Sequence, residues 1–308
     1  MSIVFFGTTD TGWHCLDEMV SSGLPVRGIV TMAQEFEISY AKDKVQNLRH
    51  RSFQNFQEEF GIPLLAFSRK FDPALLQKIA SWEPRLFVVI GWYHMIPTSL
   101  RQLASLGAVG IHWSLLPKYR GGSPLVWAIL NGESETGASL FYLSEKVDAG
   151  KIVAQEKVPI GAHEEVADLI EILNQVSRRL VIAHIPRILE GMATAWEQDE
   201  ALAAFFPPRL PQDGKIDWHW PARRIYDFIR AQSLPYPCAF AFYHGRRIRI
   251  VKASLQPQEG LHVNVQAGDG VMLGLELILA THETEPIPAI QYFEHDQIKF
   301  DNPVECRG

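Results

Sequence analysis

Five short apolar runs, at residues 3–6, 26–31, 64–67, 86–90 and 108–111, are separated by stretches whose apolar residues recur at helical spacing. Trp13, Leu16, Met19 and Val20 follow the first run, Phe53, Phe56 and Phe60 precede the third, and Leu75, Leu76 and Ile79 precede the fourth. Such alternation marks βαβ units, in which a helix crosses over between two parallel strands. Leu86-Phe87-Val88-Val89-Ile90 has no polar face at all, as a strand covered on both sides by helices requires. The expected class is therefore α/β, with a Rossmann-like, mostly parallel sheet in the N-terminal part. Open sheets of this kind hold ligands beyond the carboxyl ends of their strands. The loops after residues 90 and 111 leave successive strands, joined by a helix expected over 98–104, and should wall one cleft.

The first loop, Gly7-Thr8-Thr9-Asp10-Thr11-Gly12, runs into Trp13-His14. It is neither a dinucleotide fingerprint nor a P-loop, which needs Lys and Ser or Thr there, so it reads as a structural turn. Residues 33–55 form a polar excursion of mixed charge, in which Lys42, Lys44, Arg49, His50 and Arg51 are interspersed with Glu35, Glu37 and Asp43. A solvated loop and a basic lip for an anionic substrate both fit. The long helix expected over 163–191 contains Pro186, where a kink is expected, and His184 with apolar neighbours reads as core. Phe206-Pro207-Pro208-Arg209-Leu210-Pro211 has a linker's composition. Beyond it come a helix over 221–231 and strand-like runs at 239–243, 247–255, 262–266 and 270–279, the signature of a small antiparallel barrel. We divide the chain into domains at 1–205 and 206–308.

Charge narrows the partners. The formal charge is -6 and the pI about 6.0, which argues against a surface built throughout for phosphate backbones. From Arg209 onward eleven Lys and Arg face twelve Asp and Glu, a balance that disfavours a nucleic-acid platform. Cys15, Cys238 and Cys306 form no CxxC pair, which suggests neither a disulfide framework nor a cysteine zinc site. No metal-ligand cluster is visible. The N-terminus lacks a signal-peptide pattern and no window is long and apolar enough for a membrane span. The expectation is a soluble cytoplasmic protein with no membrane contact.

Two polar residues stand out at strand ends. His112 follows the run at 108–111 and precedes Ser114, Leu115, Leu116 and Pro117; Asp148 lies in Val147-Asp148-Ala149-Gly150, between strand-like runs at 138–143 and 152–158. The spacing places both in one neighbourhood without establishing contact. Ser114 reads as a turn cap, Lys118, Tyr119 and Arg120 as a solvated loop, and Ser123-Pro124 as the start of a helix ending at Asn131-Gly132. Trp92 and Tyr93 are either core or a stacking surface for a flat heterocycle.

With these residues in view, the chain resembles the folate-dependent formyltransferase family, whose members move a formyl group from 10-formyltetrahydrofolate to an amine. The resemblance covers nearly the whole length. It rests on His112-x-Ser114-Leu115-Leu116-Pro117-x-Tyr119-Arg120-Gly121, Trp127-Ala128-Ile129, Gly132-Glu133-x-Glu135-Thr136-Gly137 and Asp148-x-Gly150. The C-terminal part looks like the OB-like barrel of methionyl-tRNA formyltransferases and some sugar formyltransferases, through Pro211-x-Asp213-Gly214-x-Ile216-Asp217-Trp218 and Ile229-Arg230-Ala231 to Pro235-Tyr236-Pro237.

The resemblance implies an Asn-x-His pair with an Asp. His112 would be the base, Asp148 would orient it, and Gly110 stands where the family has its asparagine. Acyl transfer to an amine needs a base and donors for the developing oxyanion. Three explanations of Gly110 therefore stay open: His94 or a backbone N–H substitutes, the enzyme is slow, or the chain binds folate without transferring formyl. By the same resemblance Trp92, Tyr93, His94, Met95 and Ile96 line the folate pocket, and Asp148 with its turn closes the other side. Ser114, Leu115, Pro117, Tyr119 and Arg120 would face the acceptor. A nucleotide-linked amino sugar asks for only one or two cations, with Arg120, Lys42 and Arg49 as candidates. It is the preferred acceptor, methionyl-tRNA the runner-up. A homodimer through the barrel is a further implication of the resemblance.

Overall fold

Seven strands form one sheet in a computed structural model that describes residues 2–39, 41–281, 283–295 and 297–301. Their order is Ile152–Pro159, Glu135–Tyr142, Ala108–His112, Leu86–Val89, Ile3–Phe6, Val26–Met32 and Leu64–Phe67. The last five are parallel to one another. Glu135–Tyr142 is antiparallel to both of its neighbours, Ala108–His112 and Ile152–Pro159, and runs straight into the second through the turn that carries Asp148, whereas parallel neighbours need a crossover. Ile3, Val4, Phe5 and Phe6 are all fully buried. Their sequence has no polar face because both faces of the sheet are covered.

This sheet belongs to the first of two compact units, which takes in the chain up to Pro124, Glu135–Pro159 and Glu171–Phe206. Leu125–Ser134 and Ile160–Ile170 group with the second unit, together with the chain from Pro207 onward. The first helix, Asp10–Ser21, is capped by Thr9, whose side chain accepts the Gly12 N–H. Asp10 occupies the first turn, where the helix dipole favours a carboxylate.

In the second unit the strands Ala239–Tyr243, Arg246–Ser254, Met272–Leu279 and Val263–Gln266 pair antiparallel in that order, and Ile287–Pro288 adds to Met272–Leu279. His244 and Gly245 join the first two, with φ of 49° and 73°, the pair of positive values that a two-residue hairpin of matching twist requires. The helix Ala222–Arg230 contributes Ile225, Phe228 and Ile229 to a core with Ile248, Ile250, Leu273 and Leu275.

Several local expectations change. The helix over 98–104 is only Thr98–Arg101. The long helix spans Val166–Leu189 and continues through Pro186. His184 is half-buried rather than core, though burial still holds its imidazole below the ordinary histidine range. Ser123 has φ 53°, not the extended backbone of a capping residue. The polar excursion is no free loop: Glu35–Phe36 pairs with Val45–Gln46, and the buried Asn47 donates to the Thr8 carbonyl at 3.1 Å. Phe206 is likewise no linker, since Phe205–Phe206 pairs in parallel with Arg120–Gly121. Cys15 and Cys238 are buried thiols; Cys306 lies outside the described residues. Among the described residues no helix is long and apolar enough to cross a membrane.

Candidate functional site

The strand Ala108–His112 runs between Leu86–Val89 and Glu135–Tyr142, with His112 opposite Ser139 at its carboxyl end. There the chain turns away from the sheet, and the His112 side chain keeps 11% of its area exposed. Its Nε2 lies 2.7 Å from the Tyr119 carbonyl oxygen. A carbonyl only accepts, so Nε2 carries the proton and, in the neutral ring, the lone pair sits on Nδ1. Nδ1 points at Asp148 Oδ2 across 3.6 Å.

Asp148 therefore lies beside His112 within ion-pair range, at more than hydrogen-bond distance. Its short bond goes elsewhere: Oδ2 accepts the Gly121 N–H at 2.8 Å. Gly121 itself is at φ 99°, and a Cβ there would lie 2.3 Å from the Phe206 carbonyl oxygen, so this glycine is required by both backbone conformation and space. The Tyr119 carbonyl holds the ring, and the Tyr119 side chain is stacked on Phe206 with centroids 4.7 Å apart. Two acceptors, Nδ1 and a carboxylate oxygen, thus lie side by side, close enough for one hydrogen-bond donor beside them to reach both.

The loop carrying Tyr119 is pinned by its own polar side chains, which removes two of them from the acceptor-facing set. Ser114 is buried; its hydroxyl donates to the Lys118 carbonyl at 2.7 Å, and its carbonyl accepts from the Ser139 hydroxyl at 2.6 Å. Arg120 is fully buried. Its guanidinium donates to Gln198 Oε1 from Nε and Nη2, and to both carboxylate oxygens of Glu200. A cation so placed has no free edge for a diphosphate, contrary to the expectation from sequence. Leu115 and Pro117 are half-buried, and Lys118 is the exposed cation of the loop. Arg49 is committed too, to Asp10 at 2.7 Å and the face of Trp113 at 4.7 Å, while Lys42 remains exposed.

The loop after Leu86–Val89 splits into two kinds of residue. Ile96 is buried, and its carbonyl accepts from Arg101. Trp92 meets Phe6 and Phe67 edge-on, and the His94 ring lies 4.9 Å from Phe67 and 5.8 Å from Phe36. Trp92 Nε1 and His94 Nε2 are buried without a hydrogen-bond partner, and burial holds His94 below the usual imidazole range, hence neutral near pH 7. Tyr93 and Met95 are exposed, and the Tyr93 hydroxyl donates to Asn47 Oδ1 at 3.1 Å. Buried polar nitrogens normally find partners. Two left over among aromatic faces fit a flat heterocycle with a polar edge, as the folate head group would present. The ring contacts of His94 lie in this aromatic cluster, whereas that of His112 is with Phe141.

Gly110 has a physical counterpart. A Cβ at 110 would stand 3.0 Å from the Val89 carbonyl oxygen and 3.2 Å from Leu143 Cδ2, tighter than ordinary van der Waals contact. Leu143 is partly buried against Leu116, Phe141 and Ile152 and fills the space in front of the glycine. Neither Leu143 nor Gln198 is singled out by sequence pattern: one is an ordinary apolar residue at a strand end, the other lies in a polar stretch.

The chain matches the formyl transferase family over residues 1–185 and the formyl transferase C-terminal domain family over residues 210–286. A methionyl-tRNA formyltransferase of Thermodesulfovibrio yellowstonii is 30% identical over 281 residues, covering 91% of this chain and 87% of the relative. Among solved structures, the N-formyltransferase from Helicobacter canadensis, in complex with folinic acid and dTDP-3-aminofucose, aligns with TM-score 0.65 at 17% identity, over 89% of this chain and 98% of that one. The methionyl-tRNA formyltransferase from Clostridium thermocellum aligns with TM-score 0.56 at 20% identity, over 94% and 99%. The similarity of sequence runs through both units and the similarity of fold follows it, so this chain belongs to the formyl transferase family.

Proposed function

We propose that the chain transfers a formyl group from 10-formyltetrahydrofolate to a primary amine, with His112 as the base, and that the acceptor is a nucleotide-linked amino sugar. The observation carrying the chemistry is that His112 Nδ1 and Asp148 Oδ2 lie side by side, 3.6 Å apart, at the carboxyl end of the strand Ala108–His112. An ammonium or amine nitrogen beside the pair, within about 3 Å of each atom, gives both acceptors a donor. Nδ1 then takes the proton while Asp148 holds the nitrogen in place. Bound beside the loop at 91–96, the folate would supply a formyl carbonyl open to attack. As the new C–N bond forms, the bond from the formyl carbon to the folate nitrogen that carried it breaks, and the proton taken up by His112 is returned to that nitrogen, releasing tetrahydrofolate. Trp92 and His94 would meet the edge of its head group, Tyr93, Met95 and Ile96 the rest of that wall.

The small acceptor is favoured by charge: the chain carries -6 overall, and phosphate-backbone binding draws on many cations. Lys118 and Lys42 remain as candidate diphosphate contacts once Arg120 and Arg49 are accounted for. A second reading, methionyl-tRNA, is supported by the relative of that name at 30% identity. Incubation with 10-formyltetrahydrofolate and either a panel of amino-sugar nucleotides or charged initiator tRNA, read by mass, separates the two. Formylated sugar is the expected product. Tight tRNA binding with a steep fall between low and high salt would replace the sugar by tRNA; folate binding with no formylated product from either would leave a binding protein.

Gly110 gives a second test. Gly110→Asn alone should destabilise by about 1–3 kcal/mol through overpacking against Leu143. Leu143→Ala alone should cost about 2–4 kcal/mol as a cavity. In the double variant the two changes should offset each other, and the added amide should raise kcat towards the roughly 10²-fold worth of one oxyanion donor. Denaturant midpoints and kcat of the four proteins check this. Strict additivity of the stability changes, with kcat unmoved, would show that Leu143 does not occupy the asparagine's place.

A further inference from the structure

Gln198 is buried, and all four hydrogen-bonding valences of its side-chain amide are filled. Its Oε1 accepts from Arg120 Nε at 3.0 Å and Nη2 at 2.7 Å, and its Nε2 donates to the Asp148 carbonyl at 2.8 Å and the Gly150 carbonyl at 2.7 Å. One end therefore grips the loop whose Tyr119 carbonyl holds His112; the other grips the turn that carries the Asp148 carboxylate. The backbone prepares this. Ile152 and Trp196 exchange both N–H···O bonds in an antiparallel bridge, so a residue two beyond Trp196 comes opposite one two before Ile152, which puts Gln198 across from Gly150. Arg120 itself is registered by Phe205–Phe206 alongside Arg120–Gly121, a few residues further along the same segment.

We infer that Gln198 is a positioning residue that fixes the separation between His112 and Asp148 by tying the Tyr119–Arg120 loop to the Asp148–Gly150 turn. Asp148 and Tyr119 both lie in left-handed backbone, with φ of 51° and 58°, a conformation that non-glycine residues hold only when the surroundings impose it. Gln198 bonds the Asp148 carbonyl directly and reaches Tyr119 through the side chain of the next residue, Arg120. Only a neutral primary amide meets both requirements, because one side presents guanidinium donors and the other two carbonyl acceptors. The inference rests on the proposed role of His112 for its kinetic consequence, but not for its structural one.

Gln198→Glu keeps an acceptor for Arg120 and sets a carboxylate oxygen against the carbonyls of Asp148 and Gly150; Gln198→Asn keeps both chemistries and is one methylene too short to span them. Both variants should remain folded by thermal melting, with kcat reduced about 10–10²-fold, the range a misplacement near 1 Å produces, and KM for the formyl donor within about twofold. In nitrogen-15 histidine spectra of the full chain, the His112 ring signals should shift in both variants. A folded Gln198→Asn with unchanged kcat and unchanged His112 signals would overturn the inference, as would parallel losses in melting temperature and activity with those signals in place. If the wild-type chain forms no formylated product, the proposed function fails while the imidazole spectra still decide the role of Gln198.

Discussion

Replacing His112 by alanine is expected to lower kcat by about 10³-fold, within the range of roughly 10²–10⁴ that a positioned base contributes, with folate binding nearly unchanged. Binding is spared because the imidazole touches the Tyr119 carbonyl and Phe141, whereas the orphaned nitrogens lie on Trp92 and His94. Alanine also removes the donor that the Tyr119 carbonyl uses, so a second variant is needed to separate proton transfer from loop geometry. The amide of His112→Gln can reach the same carbonyl with an N–H but offers no basic nitrogen. Equal losses in kcat for the two variants, with the glutamine protein melting closer to wild type, would identify the imidazole as the base. A glutamine variant that retains the wild-type rate would remove His112 from that role.

How much of this could be read from the chain depends on how local each determinant is. The parallel sheet is legible because buried strands must be apolar on both faces, and 86–90 and 3–6 can be little else. His112 and Asp148 are legible as polar residues leaving strand ends in glycine-bearing turns. The antiparallel addition of Glu35–Phe36 to Val45–Gln46 is not, since two-residue strands leave no periodicity. The destination of Arg120 is not legible either. Its neighbours in sequence, Lys118 and Tyr119, suggest a solvated loop, and only pairing with Phe205–Phe206, more than eighty residues away in sequence, brings Gln198 and Glu200 beneath its guanidinium. Gly110 is the intermediate case. Its small size is visible in the sequence, but the reasons, the Val89 carbonyl and Leu143, come from the neighbouring chain segments on either side.

Arg120→Met should destabilise the protein by about 3 kcal/mol and slow catalysis as well, although the guanidinium touches no substrate in the proposed mechanism. Methionine has similar bulk, so the loss comes from polarity. Gln198 Oε1 would be left buried without a donor, at about 1–3 kcal/mol, and the loop would lose charge-assisted bonds to Glu200, which are stronger than neutral ones. Arg120→Lys should recover little, because a single ammonium cannot serve Gln198 and both Glu200 oxygens with the planar fork's geometry. The pair also has a pH signature. Hydrogen bonds from Arg120 hold the Glu200 carboxyl below the usual carboxylate range. A depressed folded value means the contribution is complete above the unfolded value and is lost as pH falls through the folded one. The stability difference between wild type and Arg120→Met should therefore narrow on acidification below the ordinary carboxylate range, but not vanish, since the bonds to Gln198 do not titrate with Glu200. Denaturant midpoints of both proteins at neutral and acid pH measure this. A difference independent of pH would assign the whole effect to the Gln198 side of the guanidinium.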